Sequence, residues 1–98
     1  MPDSTIAAAL VAEESLIVPP EESSAIRAQR FVRGVLAASD VDRDAVDVAV
    51  LLTKALIING ILHAQSALAV TVKVEPELIS VEVLDRSPRS WGIASISR

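Results

Sequence analysis

The segment "LLTKALIINGILHAQS", residues 51–66, decides how this chain is read. It belongs to a longer apolar run that predicts a helix from about 43 to 64, roughly 30 Å long at 1.5 Å per residue. The preceding turn, "DVDRD" (40–44), offers Asp40 or Asp42 as the cap, and Asp44 and Asp47 suit the first turns. The helix is apolar on most of its circumference, so it is expected to be wholly buried, covered on more than one side. Into that setting the sequence places Asn59 and His63, one turn apart, with Ala55 one turn before them. The spacing i, i+4, i+8 puts all three on one stripe. A buried amide left without a partner costs about 1–3 kcal/mol, so the stripe is expected either to meet partners or to line a cleft.

Working outward, "EESSAIRAQRFVRGVLAAS" (21–39) predicts a second helix. Ala25, Ala28, Phe31, Val32, Val35 and Leu36 form its apolar stripe, and Glu21 and Glu22 suit its positive end. Before it, "SLIVPP" (15–20) reads as a short edge strand stopped by Pro-Pro, and "TIAAALVA" (5–12) fits strand or helix equally. After the long helix, "LAVTVKVEP" (68–76) and "ELISVEVLD" (77–85) both alternate, and the short "EPE" link makes them an antiparallel hairpin with one solvated face. "DRSPRS" is a loop, and "WGIASI" suits a last short strand. The expected fold class is α+β, a two-layer sandwich with helices on one face of a mostly antiparallel sheet. The whole chain, 1–98, is expected to form a single domain.

Composition narrows the function. Hydrophobic residues make up 51% of the 98, enough for one modest core, while the aromatics are Phe31 and Trp91 alone. The net charge is −4 and the nine basic residues are scattered, which argues against a nucleic-acid partner. No cysteine is present, so disulfides and thiolate metal sites are excluded and a cytoplasmic setting is compatible. The N-terminus lacks the basic region of a signal peptide. Asp47, Lys54 and Asn59 interrupt the longest apolar stretch, so no membrane span is expected.

"LLTKALIINGILHA" followed by "ISVEVLDRSP" resembles the bacterial anti-sigma-factor serine-kinase branch of the GHKL (histidine-kinase-like) ATPases. "AIRAQRFVRGVLAAS" is similar to the first helix of that family and "LIVPP" to the strand before it, so the resemblance covers roughly residues 15–90. It implies a partial GHKL, or Bergerat-type, fold. It also implies roles: Asn59 matches the residue that holds the magnesium bridging the ATP phosphates, and Asp85 the carboxylate that accepts from the adenine amino group. An amide oxygen suits magnesium, and a carboxylate supplies the acceptor an amino donor needs. The plainer alternatives are an Asn59 amide tying the helix to a neighbouring loop, a His63 placed by the helix dipole, and an Asp85 that organises the "DRSP" turn.

The departures from the family pattern carry as much weight. The family's general base, a glutamate four residues before the asparagine, falls at Ala55, which cannot take a proton. The glycine-rich lid that cradles phosphates has no counterpart, since "DRSP" runs almost directly into "RSWGIASISR". Asn59 and Asp85, with Ala55 and His63 on the helix stripe, therefore read as a vestigial nucleotide site with no catalytic residue. No resident cofactor is expected; ATP and magnesium, the latter on Asn59, are what the site would take if it survives. The expected function is that of a degenerate regulatory domain acting through protein contacts, with a sigma factor or an anti-sigma antagonist as partner. A homodimer is also expected, with segment 5–20 and the face opened by the missing lid as contact elements. The alternatives are an ATP-binding serine/threonine kinase that borrows its base from a second subunit, and a structural self-associating module.

Overall fold

A computed structural model describes residues 10–64, 66–86 and 90–97. Residues 5–9 of the ambiguous N-terminal segment and the loop tip at 87–89 lie outside them. The elements run β1 (Ala12–Val18), α1 (Ser24–Ala38), α2 (Arg43–His63), β2 (Leu68–Val74), β3 (Leu78–Leu84) and β4 (Ser90–Ser97).

The alternation of β2 and β3 sets the sheet. Leu68, Val70, Val72 and Val74 on one strand and Ile79, Val81 and Val83 on the next are all fully buried. The register pairs Val70 with Val83, Val72 with Val81 and Val74 with Ile79, so β-branched side chains sit opposite one another on the same face. β1 adds to β2 and β4 to β3, both antiparallel, giving a four-stranded sheet in the order β1-β2-β3-β4. The other face is mixed: Ser15 and Thr71 hydroxyls lie 2.9 Å apart across β1 and β2, Lys73, Ser80 and Glu82 follow, and Ile17 and Ile93 are exposed among them. β1 is an edge strand, as its Pro-Pro end predicts, and it begins at Ala12 and stops before Pro19.

Both helices cover the apolar face. α1 lies over β1 and β2, and α2 over β3 and β4. The expected stripe of α1 is inward: Ala25, Ala28, Val32, Val35 and Leu36 are buried, and Phe31 packs at the margin of the core. The fold is thus α+β, two helices on one face of an antiparallel sheet, as the patterning predicts.

Two expectations are corrected, the start of α1 and the burial of α2, and the choice between Asp40 and Asp42 as cap is resolved. α1 starts at Ser24, not Glu21, so Glu21 and Glu22 belong to the preceding turn, where the Glu21 carbonyl accepts from the Ser24 N–H at 2.9 Å. The turn between the helices uses its two aspartates differently. Asp42 is the cap of α2, its carboxylate accepting from the Asp44 N–H at 3.2 Å. Asp40 sits at φ +56 just past the end of α1, where the Val41 N–H reaches the Leu36 carbonyl and the Asp40 N–H the Ala37 carbonyl. That pair of bonds is a Schellman C-cap, a position that favours glycine.

The second correction concerns α2, which is not wholly buried. Its inward residues are Val46, Ala49, Val50, Thr53, Ile57 and Gly60, whereas Val48, Leu51, Ile58 and Leu62 are exposed. The physical reason is that a two-layer sandwich offers α2 the sheet and α1 and no third layer above. By length and composition alone α2 would reach across a membrane; 33% of that apolar window is buried in this fold.

Replacing Asp40 by glycine relieves the left-handed backbone of a Cβ. Asp40→Gly should raise unfolding free energy by about 0.5–1 kcal/mol, measured by urea denaturation, without altering the native spectrum.

Candidate functional site

The C-terminal half of α2, the end of β3 and the start of β4 bring Asn59, His63 and Asp85 around one residue, Trp91. The Trp91 indole N–H donates to Asp85 Oδ2 at 3.1 Å. Asn59 Nδ2 donates to the Trp91 backbone carbonyl at 3.1 Å. The His63 ring lies stacked on the indole, with centroids 5.6 Å apart and planes 18° from parallel. The helix stripe thus meets partners, and the partner is β4.

A β-bulge aims Trp91 there. Val83 pairs with Gly92, but the next residue of β3, Leu84, pairs with Ser90, so Trp91 is the extra residue of β4. Such an insertion bends the strand and redirects one side chain. Gly92 makes it feasible. Its φ is +141, and a Cβ there would collide with the Leu56 side chain on α2. The lone tryptophan beside a glycine at a strand start is the sequence signal for this bulge; its role was absent from the residue-by-residue expectations above.

The chemistry of the cluster is that of a donor–acceptor clasp. The carboxylate that the resemblance would turn toward an adenine amino group here accepts from an indole N–H, which is a donor only. Asn59 is exposed and its amide nitrogen is used within the fold. Ala55 is also exposed, on the outward side of α2, and brings no proton acceptor to Asn59. Among the described residues, no group of three His, Asp or Glu side chains converges as a metal set.

A separate groove of about 510 Å³ opens between the N-terminal half of α1 and the C-terminal half of α2. Its walls include Ala25, Ile26, Gln29, Lys54, Ile58 and Leu62, and neither Asn59 nor Asp85 lines it. A smaller cleft of about 240 Å³ does touch Asp85, with Arg86, Ile17 and Ala69, at the sheet edge away from α2. The larger groove sets three polar side chains, Glu22, Gln29 and Lys54, among aliphatic ones. No family model matches this chain, and no curated protein matches it.

Two substitutions probe the clasp. Gly92→Ala should cost about 2 kcal/mol or more, because strain at positive φ adds to the clash with Leu56. Asp85→Ala removes a hydrogen bond to a charged acceptor in a half-buried setting and should cost about 1–2 kcal/mol. Urea denaturation followed by emission of the single tryptophan reads both, and the native emission should shift to the red in each as the indole loses its packing.

Proposed function

We propose that this chain is a cytoplasmic regulatory domain that works by holding a protein partner and does not hydrolyse ATP or transfer phosphate. The observation that carries the reading is that Asn59 and Asp85, the two groups the GHKL resemblance would assign to nucleotide and magnesium, both bond to Trp91. Ala55 supplies no base in front of them. Nucleotide binding would have to displace an indole that is hydrogen-bonded, stacked and carried by a paired strand. The resemblance points to a sigma factor or an anti-sigma antagonist as the partner class. The outward apolar face of α2 supports a role in contact, because exposed apolar surface of this extent marks interaction sites.

Calorimetric titration with ATP and ADP, with and without magnesium, tests the enzymatic half of this reading. No saturable heat is expected up to about millimolar nucleotide, a free energy near −4 kcal/mol. Saturable magnesium-dependent binding that Asn59→Ala and Asp85→Asn abolish would replace it with the kinase alternative. Titration of the purified chain with the sigma factors and antagonists of its own cell tests the regulatory half. A second reading, that of a structural self-associating module, draws on the same exposed face and would be favoured if none of those proteins binds.

A further inference from the structure

The groove between the two helices is polar at its ends and aliphatic between them. α1 and α2 run antiparallel, since Arg33 bonds Asp47 near the start of α2 and Gln29 reaches the Val50 carbonyl further along it. Gln29 and Lys54 therefore mark one end of the groove, and Leu62 marks the other, with Glu22 in the turn before α1. Leu62 lies about 12 Å along the helix from Lys54. Ala25 is buried at the base, and the walls between the ends are Ile26, Ile58 and Ile61. Lys54 is the only charged residue of α2 between Val48 and Leu62, and it is exposed. Among the described residues no carboxylate stands within ion-pairing distance of it, whereas Arg33 is paired with Asp47. In a regular helix the Val50 carbonyl is the acceptor of the Lys54 N–H. Gln29 Nε2, 3.3 Å from that carbonyl, is thus seated beside Lys54 and keeps a second amide hydrogen to donate.

We propose that this groove binds a small aliphatic monocarboxylate, its head on Lys54 and Gln29 and its tail running toward Leu62. The site goes beyond the contact function and does not depend on it, since neither Asn59, Asp85 nor Trp91 lines the groove. Charge complementarity selects the head. Lys54 offers three donors and no acceptor, Gln29 adds a donor, and an ionised carboxylate is acceptor only. One lysine balances one negative charge, which suits a carboxylate and leaves a phosphate dianion half unpaired. The walls select the tail. They are aliphatic, and no aromatic side chain lines the groove to stack a flat ring. Glu22 selects against a second anionic group at the far end, so a dicarboxylate is disfavoured. The volume of about 510 Å³ falls in the range of small-molecule sites, roughly 300–1,000 Å³. An anionic bilayer laid across the same helices would meet the exposed Glu22 and Asp44 carboxylates as well as Lys54, and its charge would be opposed there.

The test is calorimetric titration of the whole chain with decanoate, kept below micelle-forming concentrations. Saturation at one decanoate per chain is expected, with a Kd of about 0.1–1 mM. Octanoate, two methylenes shorter, should bind about 10-fold more weakly. Decanedioate should bind about 5-fold more weakly than decanoate at low salt, and Glu22→Gln should remove that difference. Lys54→Met keeps the aliphatic stem and loses the charge; it should weaken decanoate about 10-fold. Ile26→Glu should abolish binding by placing an anion in the wall. Both positions are exposed, so circular dichroism and Trp91 emission should stay native in each variant. No saturable heat up to about 10 mM decanoate, uptake that never saturates, or an affinity indifferent to Lys54→Met would overturn the proposal. So would a dimer that ignores decanoate and that Ile26→Glu dissociates. Binding to phosphatidylglycerol vesicles, lost in Lys54→Met, by a chain that ignores decanoate would do the same. Decanoate binding by a chain that holds no regulatory partner would sustain this site and sink the proposed function. A chain that holds such a partner and ignores decanoate would sink this site alone.

Discussion

The sheet has a single apolar face, and everything else in the molecule follows from the need to cover it with two helices. β2 and β3 place seven fully buried aliphatic side chains in the middle of that face. α2 must therefore come close over β3 and β4, and Gly60 is where it comes closest to a side chain of the sheet. At Gly60 a Cβ would stand 3.0 Å from Leu68 Cδ1, so the absence of a side chain sets the height of the helix above the sheet. Ala49 and Thr53 continue this narrow inward face, and the buried Thr53 hydroxyl is satisfied by the Ala49 carbonyl at 2.7 Å. A helix that buries Val46, Val50 and Ile57 inward and still carries Val48, Leu51, Ile58 and Leu62 outward has more apolar surface than a two-layer monomer covers. The coverage of the sheet and the exposure of the stripe are two consequences of one sequence pattern.

The clasp at Trp91 solves a different problem, the edge. β4 is the last strand and has β3 on one side only. Its bulge releases one residue from the ladder and turns it toward α2, where Asn59, His63 and Asp85 engage it. The strand edge is thereby tied to the helix by polar contacts in addition to the sheet hydrogen bonds. Leu56 beside Gly92 completes the fit and explains why the position next to the tryptophan must lack a Cβ.

Much of this was legible in the sequence because local chemistry dictates it. Alternation in β2 and β3 admits one reading, since a one-residue slip would turn Val70, Val72 and Val81 to the solvent. The stripe of α1 is equally plain. The start of α1 was not, because the two glutamates and two serines before Ala25 suit a first turn and a preceding turn alike. The roles of Asp40 and Asp42 hinged on backbone geometry at the end of α1, which composition does not encode. The burial of α2 was overestimated for a more general reason: an apolar residue bound for the core and one bound for an interface look the same in a sequence. Asn59, His63 and Asp85 stood out as polar groups at structured positions, yet their common neighbour did not. Trp91 is far from all but Asp85 along the chain, and only the bulge and the sheet order bring it over α2.

Ala55 joins the two halves of the functional reading. It is one turn before Asn59 on α2, and it is exposed on the outward side of the helix among Val48, Leu51, Ile58 and Leu62. A glutamate there would stand in front of Asn59 as a base, and the same carboxylate would put a charge in the middle of the outward apolar face of α2. On the proposed reading the two demands are mutually exclusive at one Cβ. Alanine keeps that face apolar and leaves the amide without a base. The indole N–H of Trp91 then donates to the Asp85 carboxylate, and the Trp91 backbone carbonyl accepts from the Asn59 amide. Loss of the base, occupation of Asp85 from within and exposure of an apolar face are then consistent with one another as features of a domain whose chemistry is contact.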